Sequence, residues 1–307
     1  MSKSLIPPLK SGDTVGIIST ARKISRVEIE PAVKLLQSWN LKVKTGETID
    51  NGFYQFAGDD DARSGDFQKM LDDENVKAIW FARGGYGTVR IVDSINWEKF
   101  MRKPKWLCGF SDVTVIHSHV QKNFQIPTIH CLMGINVANA SSESLHSFHD
   151  LLFTQKQEYS FPANKLNRKG EVKGILTGGN LSLIYSLGAT ASDLDCENKI
   201  LFIEDCDEYL YHLDRMMMQL KRSGKLSKLK ALLIGRFSNM RNLNEGDPFT
   251  KNTGEQGSFE IIFDHVKEFN YPVCFGFPAG HETDNRALLF GNEVRLVVKE
   301  ESKLIFE

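Results

Sequence analysis

No stretch of this chain approaches the roughly 18 to 20 consecutive apolar residues that a membrane-spanning helix requires, and the opening MSKSLIPPLKSGD has no apolar core of signal-peptide length. A cytoplasmic protein that does not enter membranes is expected. Neither sign of charge is in excess: 38 Lys and Arg stand against 39 Asp and Glu, for a formal net charge of −1. The basic surplus that marks a nucleic-acid binder is therefore missing. Cysteine is scarce and unpatterned. The five thiols, at 108, 131, 196, 206 and 274, are odd in number and include no CxxC. That argues against a disulfide framework or a zinc site, and for reduced thiols buried as small hydrophobes. Neither an internal repeat nor a low-complexity tract occurs.

What is present is an ordinary globular composition, 41% hydrophobic and 25% charged, in 307 residues. That length exceeds one compact domain, so two domains sharing an interface are expected. In the first half, apolar runs alternate with helical patterns. DTVGIIST (13–20), LKVKTG (41–46), VKAIWFAR (76–83), KWLCGF (105–110) and PTIHCL (127–132) read as strands. Between them, 26–39, 60–73, 88–95 and 111–124 read as helices. Such alternation predicts an α/β domain over 1–139 with a parallel sheet, because parallel strands need crossover connections. Residues 140–169 (ASSES, FTQKQEYSFP, NKLNRKG) are polar and turn-rich and predict a linker. From 170 to 307 a second block reads as a mixed domain. KGIL before TGGN, KILFI before ED, and LKALLIGRF are its apolar strands, and its end consists of short strands and turns.

Ligands of open parallel sheets bind beyond the carboxyl ends of the strands, which directs attention to the residues just after each apolar run. KWLCGF delivers Ser111 between a strand and a helix. A serine there exposes its hydroxyl at the sheet edge with helix N–H groups beside it, the geometry of a nucleophile, although Val113 departs from the G-x-S-x-G elbow. The same position is an ordinary helix N-cap, so both readings stand. A nucleophilic serine needs a base with an orienting partner. Among the eight histidines, His117 and His119 are two apart on one helix and so face apart. His146 and His149 fall in the predicted linker, His212 and His265 in helical patterns, and His130 ends a strand. His281 lies in the Gly- and Pro-punctuated loop FGFPAGHETDNR, where a fixed loop more often serves function, or else is simply solvated. Glu204 comes directly after ILFI, either as a carboxylate emerging from a buried strand or as the start of the next helix. ARGGYG (82–87) and LTGGN (176–180) put paired glycines at strand ends, as tight turns or as backbone that approaches a ligand; neither matches a phosphate-loop signature.

LKSGDTVGIIS, FAGDDDARSGDF, ARGGYG, GFSDVT, LTGGNLSLIYSLGAT, LFIEDCDEYLYHLDRMMMQL, LIGRF and FPAGHETDNRALLFG, in this order along nearly the whole chain, resemble the LD-carboxypeptidase family of serine peptidases, family S66. The resemblance implies a flavodoxin-like N-terminal α/β domain, a smaller C-terminal mixed β/α domain, an active site between them, and a homodimer. It implies a Ser-His-Glu triad of Ser111, His281 and Glu204, oxyanion donors in the backbone N–H groups of Asp112 and Gly85, and no metal or organic cofactor. It further implies a murein tetrapeptide substrate, cleaved between an L-centre (meso-DAP or Lys) and a C-terminal D-Ala in peptidoglycan recycling. TIHCLM departs from the family's usual turn and leaves the role of His130 open. Arg83 and Arg286 are candidates for holding the terminal carboxylate, or are surface ion-pair residues. Two other functions fit: an immunity peptidase acting on microcin C-type peptide-nucleotides, and a non-catalytic small-molecule binding protein in which Ser111 only caps its helix.

Overall fold

Buried β-branched and aromatic runs separated by capped amphipathic helices fold here as two sheets. The computed structural model describes residues 6–242 and 254–306. The first half contains β1 (Thr14–Ile18), α1 (Arg26–Ser38), β2 (Lys42–Thr45), α2 (Asp60–Asp72), β3 (Val76–Phe81), α3 (Glu98–Arg102), β4 (Trp106–Gly109), α4 (Thr114–Phe124) and β5 (Thr128–His130). Local chemistry sets the helix starts. Ser25 and Glu28 form a reciprocal capping box on α1, and Asp59 accepts the Ala62 N–H to open α2. The strands lie in the order β2-β1-β3-β4-β5, all parallel, which is the flavodoxin-like winding. Burial of β3 and β4 on both faces explains why they read as continuous apolar runs.

The second half contains α5 (Ser142–Phe153), β6 (Gln157–Pro162), β7 (Gly170–Asn180), α6 (Leu181–Ser186), β8 (Lys199–Cys206), α7 (Leu210–Arg222), β9 (Ala231–Ser238), α8 (Gly254–Val266), β10 (Val273–Phe275), β11 (Leu288–Phe290), β12 (Glu293–Val298) and β13 (Glu301–Phe306). Its sheet runs β10-β9-β8-β7-β12-β13-β6, parallel from β10 to β7 and antiparallel beyond, so it is mixed. Strand β11 leaves this block and pairs antiparallel with β5, extending the first sheet. The two halves thus share a sheet as well as an interface.

Three expectations are corrected. Residues 88–95 form two short 3-10 turns, Thr88–Arg90 and Val92–Ser94, in place of an α-helix. A segment this short gains too few bonds to offset helix nucleation, and Gly87 before it has no side chain with which to cap it. Residues 140–169 are not a linker. Ser141 caps α5 by accepting the Ser144 N–H, and Phe148, Leu151 and Leu152 bury one face of that helix. Strand β6 then buries Tyr159 and Phe161 alternately and pairs with β13. The polar composition reflects exposed faces of amphipathic elements, as its Ser and His residues dilute the apolar period. Finally, TGGN is not a turn, because β7 continues through it to Asn180, paired in parallel with β8.

Candidate active site

Strand β4 ends at Gly109, and the chain turns sharply into a 3-10 turn, Ser111–Val113, that leads into α4. Ser111 adopts φ 58°, a left-handed conformation that is strained for a residue with a Cβ. The N-cap of the turn is Phe110, with no side-chain cap bond, so the cap reading of Ser111 fails. Its Oγ is engaged elsewhere, 3.0 Å from His281 Nε2.

His281 comes from the loop after β10, and Glu204 from β8. His281 Nδ1 lies 2.7 Å from Glu204 Oε2, so a hydrogen-bonded line runs from Ser111 through His281 to Glu204. Glu204 is fully buried, and Gly280, at φ +138°, lets the loop approach it: a β-carbon there would lie 3.2 Å from Oε2. The loop is pinned from the helix where a linker was expected. Ser144 Oγ donates to Thr283 O and accepts the Asn285 N–H, Ser141 N–H donates to Thr283 O, and Asn285 Oδ1 accepts the Gly280 N–H. The ring of Phe110 lies against His281, 4.8 Å between centroids.

The electrostatics follow from burial and pairing. Burial works against a charged His281, but the Glu204 carboxylate, helped by the Cys206 sulfur, outweighs it and raises the imidazole above its ordinary pKa. With Nδ1–H donated to Glu204, Nε2 is the atom left to accept the serine proton. Asp205, the buried neighbour of Glu204, is pushed up to about 7 by burial and by the Glu204 charge. Burial also holds His130 well below its ordinary value. It sits among the rings of Phe110, Phe202 and Phe290, outside the Ser111–His281–Glu204 line. His117 is likewise enclosed, bonded to Thr128 Oγ1 and Gly109 O.

The ARGGYG turn closes over Ser111. A β-carbon on Gly84 would lie 3.2 Å from Ser111 Cβ and 3.3 Å from its Oγ, and Gly85 takes φ +107°. Asp112 ties this turn to the serine: its buried carboxylate accepts the Thr88 N–H at 2.9 Å. Arg63, missed in the sequence as a site residue, is buried beneath the turn. It donates to Gly87 O, Thr20 O and Gly58 O and pairs with Asp60. Only its place among the charges of DDARSGD hinted at it. Arg83 and Arg286 have partners of their own. Arg83 donates to Lys23 O and lies 3.6 Å from Glu28, and Arg286 pairs with Asp284 at 3.1 Å.

A cavity of about 340 Å³ opens beside His281, lined by Phe110, Leu132, Ile135, Asn136 and Asn285 among others. A larger one, about 520 Å³, lies between Leu9, Val76 and Lys105 at the opposite ends of the strands, away from these groups. Among the described residues, no cluster of three or more His, Cys, Asp or Glu is placed to hold a metal ion. No helix among them is long and apolar enough to cross a membrane.

Residues 15–131 match the LD-carboxypeptidase N-terminal domain of peptidase family S66, and residues 173–296 match its C-terminal domain. The chain is 32% identical over 304 residues to a probable murein peptide carboxypeptidase of Bacillus subtilis, covering 97% of this chain and 92% of that protein. The crystal structure of a muramoyltetrapeptide carboxypeptidase from Oxalobacter formigenes superimposes with a TM-score of 0.85 at 26% identity, over 96% of this chain and 99% of that one. The microcin C7 self-immunity protein MccF shares the fold, with a TM-score of 0.86 over 98% of both chains, at 18% identity. With both domain matches and this full-length relative, the chain belongs to the LD-carboxypeptidase family S66 and is a carboxypeptidase of the serine hydrolase type.

Proposed function

We propose that the chain is a serine LD-carboxypeptidase that removes the C-terminal D-Ala from a murein tetrapeptide, cutting the amide that joins it to meso-DAP or Lys, during peptidoglycan recycling in the cytoplasm. The observation that carries this reading is the contact of Ser111 Oγ with His281 Nε2 at 3.0 Å, backed by His281 Nδ1 on Glu204 at 2.7 Å. His281 Nε2 takes the hydroxyl proton as Ser111 Oγ attacks the scissile carbonyl. The backbone N–H groups of Asp112 and Gly85 receive the oxyanion, each such donor contributing about 3 to 4 kcal/mol to the transition state. His281 then returns the proton to the departing D-Ala amine, leaving an acyl group on Ser111. Water, deprotonated by His281, hydrolyses that ester and restores the serine. Glu204 fixes the tautomer and stabilises the imidazolium.

The substrate's terminal carboxylate needs a cationic partner. Arg83, beside Gly84 and held by Glu28 only at 3.6 Å, is the candidate nearest the turn, with Arg286 the other. The resemblance to the family also carries the proposal of a homodimer, which sedimentation velocity checks. Incubation with L-Ala-γ-D-Glu-meso-DAP-D-Ala should release D-Ala. Turnover of a peptidyl-aminoacyl adenylate in its place would assign a peptide-nucleotide substrate, and turnover of neither would overturn the enzymatic reading.

A further inference from the structure

The groups that form the hydrogen-bonded line stand on different sheets. Ser111 follows β4 of the first, whereas Glu204 lies on β8 of the second. Something must hold these elements in register to a few tenths of an ångström, since reacting groups lose much of their advantage when displaced. The end of β7 is built for that. Gly178 packs so closely on β8 that a β-carbon would fall 1.9 Å from Phe202 O. Gly179 packs on α4, where a β-carbon would fall 2.5 Å from Thr114 Oγ1. Asn180 bonds in both directions, its N–H to Thr114 Oγ1 at 3.0 Å and its Nδ2 to Asp205 Oδ1 at 2.8 Å. Thr114 N–H in turn donates to the carbonyl of Ser111, and Asp205 is the residue after Glu204. All of these side chains are buried.

A second bond joins the same strand and helix farther from Ser111. Thr177 Oγ1 donates to Gln121 Oε1 at 2.7 Å. Thr114 and Gln121 are seven apart on α4, hence on one face and about 10 Å apart along the axis, which three residues of strand, Thr177 to Asn180, also span at about 10 Å. Helix and strand therefore meet at two matched points.

We infer that the TGGN segment, through Thr114 and Asp205, is a positioning joint that sets Ser111 against Glu204 and His281. This rests on the reading of Ser111 as the nucleophile, so the test reads Ser111 reactivity without a peptide substrate. A fluorophosphonate probe is used: the Ser111 Oγ–P bond forms, the P–F bond breaks and fluoride leaves, and the hydroxyl proton passes to His281. Rates are followed by intact mass, with the label mapped to its residue, alongside thermal melting. Thr114→Val removes the acceptor for Asn180 at nearly constant volume, and should slow labelling roughly tenfold or more. Thr114→Ser should restore it. Gln121→Leu breaks the distant bond and serves as control: it should melt earlier, as Thr114→Val does, yet label within about twofold of wild type. The inference is overturned if Thr114→Val labels at the wild-type rate, if Thr114→Ser fails to rescue, or if both bond-breaking variants slow labelling equally. Wild-type protein that labels at Ser111 but releases no D-Ala from the tetrapeptide overturns the substrate reading alone. Wild-type protein that does not label overturns both.

Discussion

Two glycine pairs, Gly84-Gly85 and Gly178-Gly179, look alike in the sequence, each coming after an apolar run, yet the fold uses them in opposite ways. Gly84-Gly85 lies in a turn beyond the end of β3, with Gly84 facing the Ser111 hydroxyl and Gly85 in a left-handed conformation. Gly178-Gly179 lies inside β7, where the missing side chains admit the backbone of β8 and the side chain of Thr114. One pair leaves room for a reacting group; the other removes room between elements that must touch. Paired glycines mark close approach, and only the surrounding topology tells whether the approach is toward a substrate or toward the protein itself.

The difference can be sharpened by substitution. Apart from Ser111 itself, the largest effect on turnover should come from the partner that the β7–β8 side supplies. Glu204→Gln removes the charge that raises His281, and turnover at its plateau should fall on the order of a thousandfold. The pH profile should move as well. In the proposed mechanism His281 must be neutral to act as base, and its pKa is raised, so activity should still be climbing above about pH 7. In the variant burial and the Cys206 sulfur remain but the carboxylate charge does not, so the acid limb should shift downward; a limb that stays in place would deny the pairing its role. The same shift implies that the pair's contribution to stability is complete below about pH 6.5 and is lost as pH rises through the raised value, which denaturation across pH would show.

Next in size is Gly178→Ala, whose β-carbon meets the Phe202 carbonyl; it should cost about 3 kcal/mol of stability, measured by urea denaturation. Gly84→Ala should do the reverse. Its β-carbon meets Met133 and Ser111 side-chain atoms at 3.1 to 3.3 Å, so stability should change by less than about 1 kcal/mol while turnover drops roughly tenfold or more. If Gly84→Ala unfolds the protein and Gly178→Ala leaves it stable, the contrast is wrong. One change in stability is a gain. Ser111→Gly relieves the left-handed strain and should stabilise the fold by about 1 kcal/mol with turnover abolished.

Much of this was legible in the sequence, and for physical reasons. Strands β1 and β3 to β5 are buried on both faces and read as apolar runs, and the parallel winding followed from their alternation with helices. Ser111, Glu204 and His281 were each ambiguous alone. The cap reading of Ser111 failed because Phe110 took the cap position while the hydroxyl turned to His281. What stayed hidden was amphipathic or long-range. Helix α5 was masked by its Ser and His residues, although Ser141 and Ser144 of that segment hold the His281 loop. The role of Arg63 depends on carbonyls at 20, 58 and 87, which no local pattern brings together.

In the proposed mechanism Ser111 does the chemistry and the two sheets only present it. Release of D-Ala from L-Ala-γ-D-Glu-meso-DAP-D-Ala, compared between wild type and Ser111→Ala of equal or greater thermal stability, tests it most directly. Steady release by the wild type and a loss on the order of ten-thousandfold or more in the variant are expected. Release by Ser111→Ala at a rate near that of the wild type would contradict it.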